Sequence, residues 1–287
     1  MLNLNFEATG TTWKIDVYSE TVTGNLEKSI QDLITDFENT YSRFKPTSLI
    51  TKISTLPNDY TLPLSAKPLF DIYQNLEQLT NGAFTPLIGK NLVEAGYDST
   101  YSFSPKDSLS ANIRFGATFE YDFPHLKVKT PVALDFGAAG KGYLMDLIAE
   151  LLKGSGFFTY SIDAGHDYVI SSSHKPVRIG LENPMDAQSA IGVVEIKSGS
   201  ICGSSGNRRN WGKYNHIING NSLESAKDIL ATWVIADTGL VADAISTARF
   251  FVDPVLIKEH YQFQYVILYS DYSVNVSDNF SGELFNA

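Results

Sequence analysis

Val132-Ala133-Leu134-Asp135-Phe136-Gly137-Ala138-Ala139-Gly140-Lys141-Gly142-Tyr143-Leu144 is the stretch on which the fold turns. Val132 to Asp135 predicts a buried strand, Gly137 to Gly142 a tight turn, and Tyr143 to Lys153 a helix. That helix buries Leu144, Ile148, Leu151 and Leu152 at i, i+4, i+7 and i+8, and Gly154 suits its C-terminal cap. A strand, a glycine-rich turn and a helix aim backbone N–H groups and the positive end of a helix dipole at one point, where an anion can dock. Walker A is excluded, because Asp135 stands at its first glycine and Gly142 follows the lysine. A dinucleotide Gly-x-Gly-x-x-Gly fingerprint does not fit either. The turn also serves simple close packing of helix on sheet, and the opposite charges of Asp135 and Lys141 beside it favour the site reading.

Outward from this stretch, Trp13, Ile15 and Val17 alternate with polar residues and predict a strand over Thr12 to Ser19. Helices are predicted over Asn25 to Tyr41, over Lys67 to Thr80 with a stop at Asn81-Gly82, and over Thr238 to Phe251, ended by Asp253-Pro254. Lys90 to Pro124 carries no helical period and reads as short strands and loops. Strands follow at Phe157 to Ile162, Tyr168 to Ser171, Val177 to Leu181, Gly192 to Ile196, Ile229 to Ile235 and Phe263 to Leu268. The order predicts an α+β protein, a single domain over residues 1–287.

The 287 residues are 43% hydrophobic and 19% charged, which excludes a mainly disordered chain. Lys and Arg total 22 against 32 Asp and Glu, a formal charge of −10 that disfavours nucleic acid and requires a local device for any phosphate ligand. Cys202 is alone, so no internal disulfide and no cysteine zinc site is expected. The start lacks a signal-peptide pattern and no apolar run reaches about 18 residues. A cytoplasmic protein is the expectation, or a periplasmic or membrane-anchored one if a leader has been removed.

Four further segments carry chemistry. Asp243 and Thr247 lie at i and i+4 among alanines, so a carboxylate and a hydroxyl share one helix face, as hard oxygen ligands for Mg²⁺. The same pair is also read as a dipole-stabilised Asp and a Thr bonded to its own helix. Ser204 to Arg209 brings Arg208 and Arg209 for phosphate, and Tyr214 to Gly220 brings His216, a proton carrier or part of a plain strand and turn. Asp163-Ala164-Gly165-His166-Asp167 is a strand end with a glycine bend, or only a polar turn.

In this order the segments resemble the ApbE family of FAD:protein FMN transferases. Thr9-Gly10-Thr11 resembles its Met-Gly-Thr opening, and Tyr41-Ser42-Arg43-Phe44 its Ser-x-aromatic segment. Gly82-Ala83-Phe84-Thr85-Pro86 resembles its Gly-Ala-Phe-Asp-Pro-Thr, Leu134 to Tyr143 its Leu-Asp-x-Gly-Gly-Ile-Ala-Lys-Gly-Tyr, and Ala242 to Thr247 its Ala-Asp-Ala-x-x-Thr. The resemblance implies an ApbE-like, T-fold-like mixed α/β architecture, an antiparallel sheet with flanking helices in one compact unit of two subdomains. It implies Mg²⁺ on the Ala138 carbonyl, Asp243 and Thr247, and FAD as substrate, contacted by Thr9, Phe44, Ala83, Phe84, Thr85, Asp135, Lys141 and Ile218. It also implies FMN transfer to a Thr or Ser of an acceptor flavoprotein with release of AMP, with Asp243 and His216 as catalytic residues. The alternatives are FAD hydrolysis to FMN and AMP, or FAD binding without turnover. Thr85, Leu87 and Asn219-Gly220 depart from the family pattern. His166 stands where a second glycine is usual, and is expected to gate the pocket or replace a lost contact. No acceptor-type segment is present, so self-flavinylation is not expected.

Overall fold

The computed structural model describes residues 1–19 and 25–285. Its spine is an antiparallel sheet of eight strands lying side by side in chain order: Leu2–Ala8, Thr11–Val17, Tyr160–Ala164, Tyr168–Ser171, Ser198–Ser205, Ile229–Ala236, Gln264–Tyr269 and Val274–Val276. The first hairpin turns on Thr9 and Gly10, both at positive φ (49° and 74°), the backbone that suits the twist of a two-residue β-turn.

All other elements except the final Glu283–Leu284 strand are inserted between neighbouring strands. Helices α1 (Leu26–Tyr41), α2 (Leu49–Thr55), α3 (Ala66–Leu79), α4 (Gly89–Glu94), α5 (Phe115–Thr118) and α6 (Gly140–Gly154) lie between the second and third, and α7 (Gly239–Ala248) and α8 (Pro254–Lys258) between the sixth and seventh. A pair of strands, Val177–Asn183 and Asp186–Ile196, leaves after the fourth and is joined by Glu283–Leu284.

Period-two alternation makes the central sheet two-sided. Cys202, Val234 and Ile267 point into a core shared with Leu144 and Ile148 of α6 and Ala242 and Ile245 of α7. Their neighbours Ile201, Trp233, Val266 and Leu268 point the other way, onto Ile179, Leu181, Val194 and Ile196 of the small sheet. The result is a helix layer, a large sheet and a small sheet. In α1 the buried Leu26, Ile30, Ile34, Phe37 and Tyr41 recur at helical spacing, as the sequence predicts. Each such side chain contributes roughly 1.5–3 kcal/mol on burial.

Some expectations are corrected. Val132 to Asp135 is not a strand: its amides go to two helical segments instead of a ladder, Asp135 N–H to the Pro86 carbonyl at 2.8 Å and Leu134 N–H to Ser54 Oγ at 3.3 Å. Gly154 is still helical, and the left-handed residue is Gly156 (φ 85°). The helix after Thr238 stops at Ala248, and Asp253 instead caps α8, accepting from Val255 N–H at 2.8 Å. Residues 90–124 hold α4, α5 and the Phe119–Asp122 strand; both helices are too short to show a period. No helix among the described residues is long and apolar enough to cross a membrane.

Candidate active site

Two helices meet through their first turns. Gly142 of α6 and Gly239 of α7 touch backbone to backbone, so close that a Cβ on Gly142 would lie 2.0 Å from the Gly239 carbonyl oxygen. Each helix then supplies a carboxylate to the free N–H groups of the other. Asp243 accepts from Gly142 N–H at 2.9 Å, and Asp146 accepts from Gly239 and Leu240 N–H at 2.7 and 2.8 Å. This exchange explains why Asp243 sits at mid-helix among alanines and yet is only 2% exposed.

Lys141 reaches over the junction. Its Nζ lies 3.0 Å from Asp243 Oδ1 and 3.0 Å from Asp167 Oδ2, while the other Asp167 oxygen accepts from Gly203 N–H at 2.8 Å. One ammonium therefore faces two buried carboxylates. Burial, with Asp167 adding to it, pushes the Asp243 carboxyl up to about 6 despite the attraction of Lys141. Ligand atoms of Asp167, Cys202 and Asp243 lie within 4.8 Å of one another. The surplus negative charge and the hard oxygens of Asp243, Asp167, Thr247 and the Ala138 carbonyl suit a divalent cation of the Mg²⁺ type. Thr247 is already oriented, its hydroxyl 3.0 Å from Ser204 Oγ.

The junction floors a cavity of about 500 Å³, bordered by the residues expected to hold the metal, the flavin dinucleotide and the transferred proton. Thr9 stands at the hairpin turn, hydrogen bonded through its N–H to Glu38 at 3.2 Å. Ala83, Phe84 and Thr85 follow the left-handed pair Asn81-Gly82 at the end of α3. Phe44 is 37% exposed at the rim, with the Arg43 guanidinium 4.1 Å over its ring. Arg43 also pairs with Asp135, whose other oxygen accepts from Gly137 N–H at 2.7 Å and shapes the glycine turn. Ile218 is buried, bridged to Ser225.

His216 lies beside these. Burial and the charge of Arg209 lower its imidazole to about 4, opposed by a hydrogen bond with the Arg209 backbone, so it is neutral at pH 7. Its Nδ1 is enclosed and has no partner. Around the cavity Arg43, Lys45, Lys141, Arg208 and Arg209 face Glu38, Asp135, Asp167 and Asp243. A protein of formal charge −10 thus presents a wall near neutrality where an anion would enter.

Two departures from the family pattern acquire a structural account. The Thr85 hydroxyl is committed, donating to buried Glu77 at 2.7 Å and accepting from Leu87 N–H at 3.2 Å. Asn219 closes its own turn, accepting from Asn221 and Ser222 N–H, and Gly220 packs on Gly82 and Ala83. His166 does not gate the cavity: it is exposed at φ 74° and borders a smaller cavity with Tyr168 and Trp233. Sequence reasoning named Asp167 only within a strand end or polar turn and read Tyr73 only as a buried helix residue; both border the main cavity. For Asp167 the signal was the Gly165-His166-Asp167 bend, whose polar composition alone did not separate a ligand from a turn.

The ApbE family model matches residues 9–266. The chain belongs to the ApbE family. Among proteins named FAD:protein FMN transferase, it is 26% identical to that of Rhodobacter capsulatus over 184 residues, 59% of this chain and 35% of that protein. It is 29% identical to that of Escherichia coli K12 over 149 residues, 48% and 40% respectively, so these alignments span less than half of either relative. The ApbE protein of Thermotoga maritima shares the fold with a TM-score of 0.83 at 22% identity, and the flavin transferase ApbE of Vibrio cholerae with 0.84 at 18%, each over 97% of both chains. The mixed architecture of antiparallel sheets and helices is therefore that of solved ApbE structures.

Proposed function

We propose that this ApbE-family chain transfers the FMN moiety of FAD to a Thr or Ser hydroxyl of an acceptor protein, releasing AMP. The observation that carries the reading is the buried Asp243–Lys141–Asp167 cluster on the cavity floor, where the first turns of α6 and α7 converge. The relatives' name supplies the substrate class. In the reaction the acceptor oxygen bonds to the FMN-side phosphorus, the anhydride bond to AMP breaks, and the hydroxyl proton is lost.

Asp243, Thr247 and the Ala138 carbonyl would hold Mg²⁺. When bound, it would offset pyrophosphate charge and stabilise the departing AMP oxygen. Lys141 and the N–H groups of the glycine turn orient the phosphates. His216, neutral with an enclosed acceptor nitrogen, receives the hydroxyl proton. Thr9, Phe44, Ala83, Phe84 and Ile218 shape the flavin and adenosine walls, with Thr85 contributing through backbone and methyl surface because its hydroxyl is spent.

The test mixes protein and FAD with and without Mg²⁺ and an acceptor domain, and follows AMP and FMN by chromatography. AMP release that needs both supports the transferase. Release without acceptor makes the protein a hydrolase, and intact bound FAD under all conditions makes it a flavin-binding protein. Asp243→Ala is expected to abolish transfer; undiminished transfer by that variant sinks the metal assignment.

A further inference from the structure

Among the described residues, several enclosed side-chain polar atoms have no hydrogen-bond partner, and of these only His216 Nδ1 and the Tyr73 hydroxyl border the main cavity. His216 has a role in the reading above; Tyr73 has none. Tyr73 is 1% exposed, and its ring is fixed on both sides, stacked on Phe84 at 5.0 Å and edge-on to Phe136 at 5.1 Å. The carboxylates of Asp135 and Asp243 and the backbone amides of Ala138 and Ala139 bear on its oxygen. A phenol is protonated at neutral pH, so this hydroxyl has a hydrogen to offer. The Ala138 and Ala139 N–H groups are donors, so the hydrogen of this buried hydroxyl finds no acceptor among the described residues, which is unfavourable. Phenylalanine would fill the same space against Phe84 and Phe136 without that cost.

The location narrows the acceptor. The hydroxyl lies against the glycine turn at the α6 N-terminus, whose free N–H groups favour an anion. Thr85, the residue that follows Phe84, cannot serve there because Glu77 and Leu87 occupy its hydroxyl. We infer that the Tyr73 hydroxyl is a binding residue of this site, donating a hydrogen bond to a phosphate oxygen of the bound flavin dinucleotide at the Ala138–Ala139 turn. The inference rests on the flavin reading and adds a contact to it.

The test compares wild type with Tyr73→Phe in equilibrium titrations of flavin fluorescence with FAD and with riboflavin, which has no phosphate, together with unfolding of the ligand-free proteins. FAD affinity is expected to fall about ten- to a hundredfold, as for a lost hydrogen bond to a charged group, with riboflavin affinity unchanged. The unfolding midpoint of the ligand-free variant is expected to equal or exceed that of wild type. Unchanged FAD affinity, an equal loss for riboflavin, or a lowered midpoint overturns the Tyr73 assignment while leaving the flavin reading in place. Wild-type protein that binds no FAD overturns the flavin reading and this inference with it.

Discussion

At the scale of residues, one lysine sets the balance of the site. Without Lys141, Asp243 and Asp167 would face each other buried at 2% exposure each, and an uncompensated buried charge is far costlier than an intact pair is favourable. Lys141→Met is expected to destabilise the protein by about 3 kcal/mol at pH 7. The sign with pH follows from Asp243, already at about 6 in the folded protein and higher once the lysine is gone. A carboxyl raised on folding favours the folded state when protonated, so the loss should grow from pH 5 to pH 8. Urea titrations at the two pH values check this, and a loss that shrinks as pH rises would contradict it. His216 acts in the opposite sense, its folded value of about 4 lying below the ordinary 6.5. Between those values the unfolded chain takes up a proton that the folded one refuses, so stability falls as pH drops from 6.5 to 4. Removing the imidazole in His216→Asn should erase that dependence, worth up to about 3 kcal/mol. Parallel pH curves for the two proteins would mean that His216 charges freely.

At the scale of elements, the α6–α7 crossing depends on two glycines and two exchanged carboxylates. Gly142→Ala places a methyl 2.0 Å from the Gly239 carbonyl oxygen and 2.7 Å from Asp243 Cβ, with backbone unable to yield. It is expected to cost about 3 kcal/mol and to displace Asp243, with loss of transfer. Gly154, at the far end of α6 with open space around it, is the control: Gly154→Ala should stabilise by about 0.5–1 kcal/mol. Chemical unfolding of both variants decides, and a harmless Gly142→Ala would refute the close crossing. Helices such as α1 and α3 were legible because their buried residues recur every three or four positions. The Ser198–Ser205 strand was not, since its serines and glycines carry no apolar alternation and its burial comes from neighbours on both sides. Val132 to Asp135 misled because only Leu134 among its apolar residues is buried and its amides bond to Pro86 and Ser54 instead of a ladder. That Asp243 and Thr247 share one helix face was legible from their spacing, whereas Asp167 and Tyr73 come to the cavity through sheet register and helix packing, which no local pattern encodes.

At the scale of the whole molecule, one apolar cluster joins the helices to the sheet. It runs from Leu4 and Trp13 of the first strands through Ile30, Phe70 and Phe84 to Leu144 and Ile148 of α6, and on to Ile245 and Ile267. The apolar faces of α1, α3 and α6 belong to this cluster, so separating the helical insertion from the sheet would expose both. A single cooperative unfolding transition is therefore expected for a chain that its sequence reads as one domain. The cavity lies where that shared core opens between the α3 end, the glycine turn and the sheet, so its walls form only in the folded whole. A ligand that binds the folded state alone raises stability by RT ln(1 + [L]/Kd), about 2.7 kcal/mol at a hundredfold excess over Kd. FAD with Mg²⁺ should therefore move the entire transition upward as one step. Calorimetry of the protein alone and with both ligands tests this: two transitions, or a ligand shift confined to one of them, would show that the insertion and the sheet fold separately.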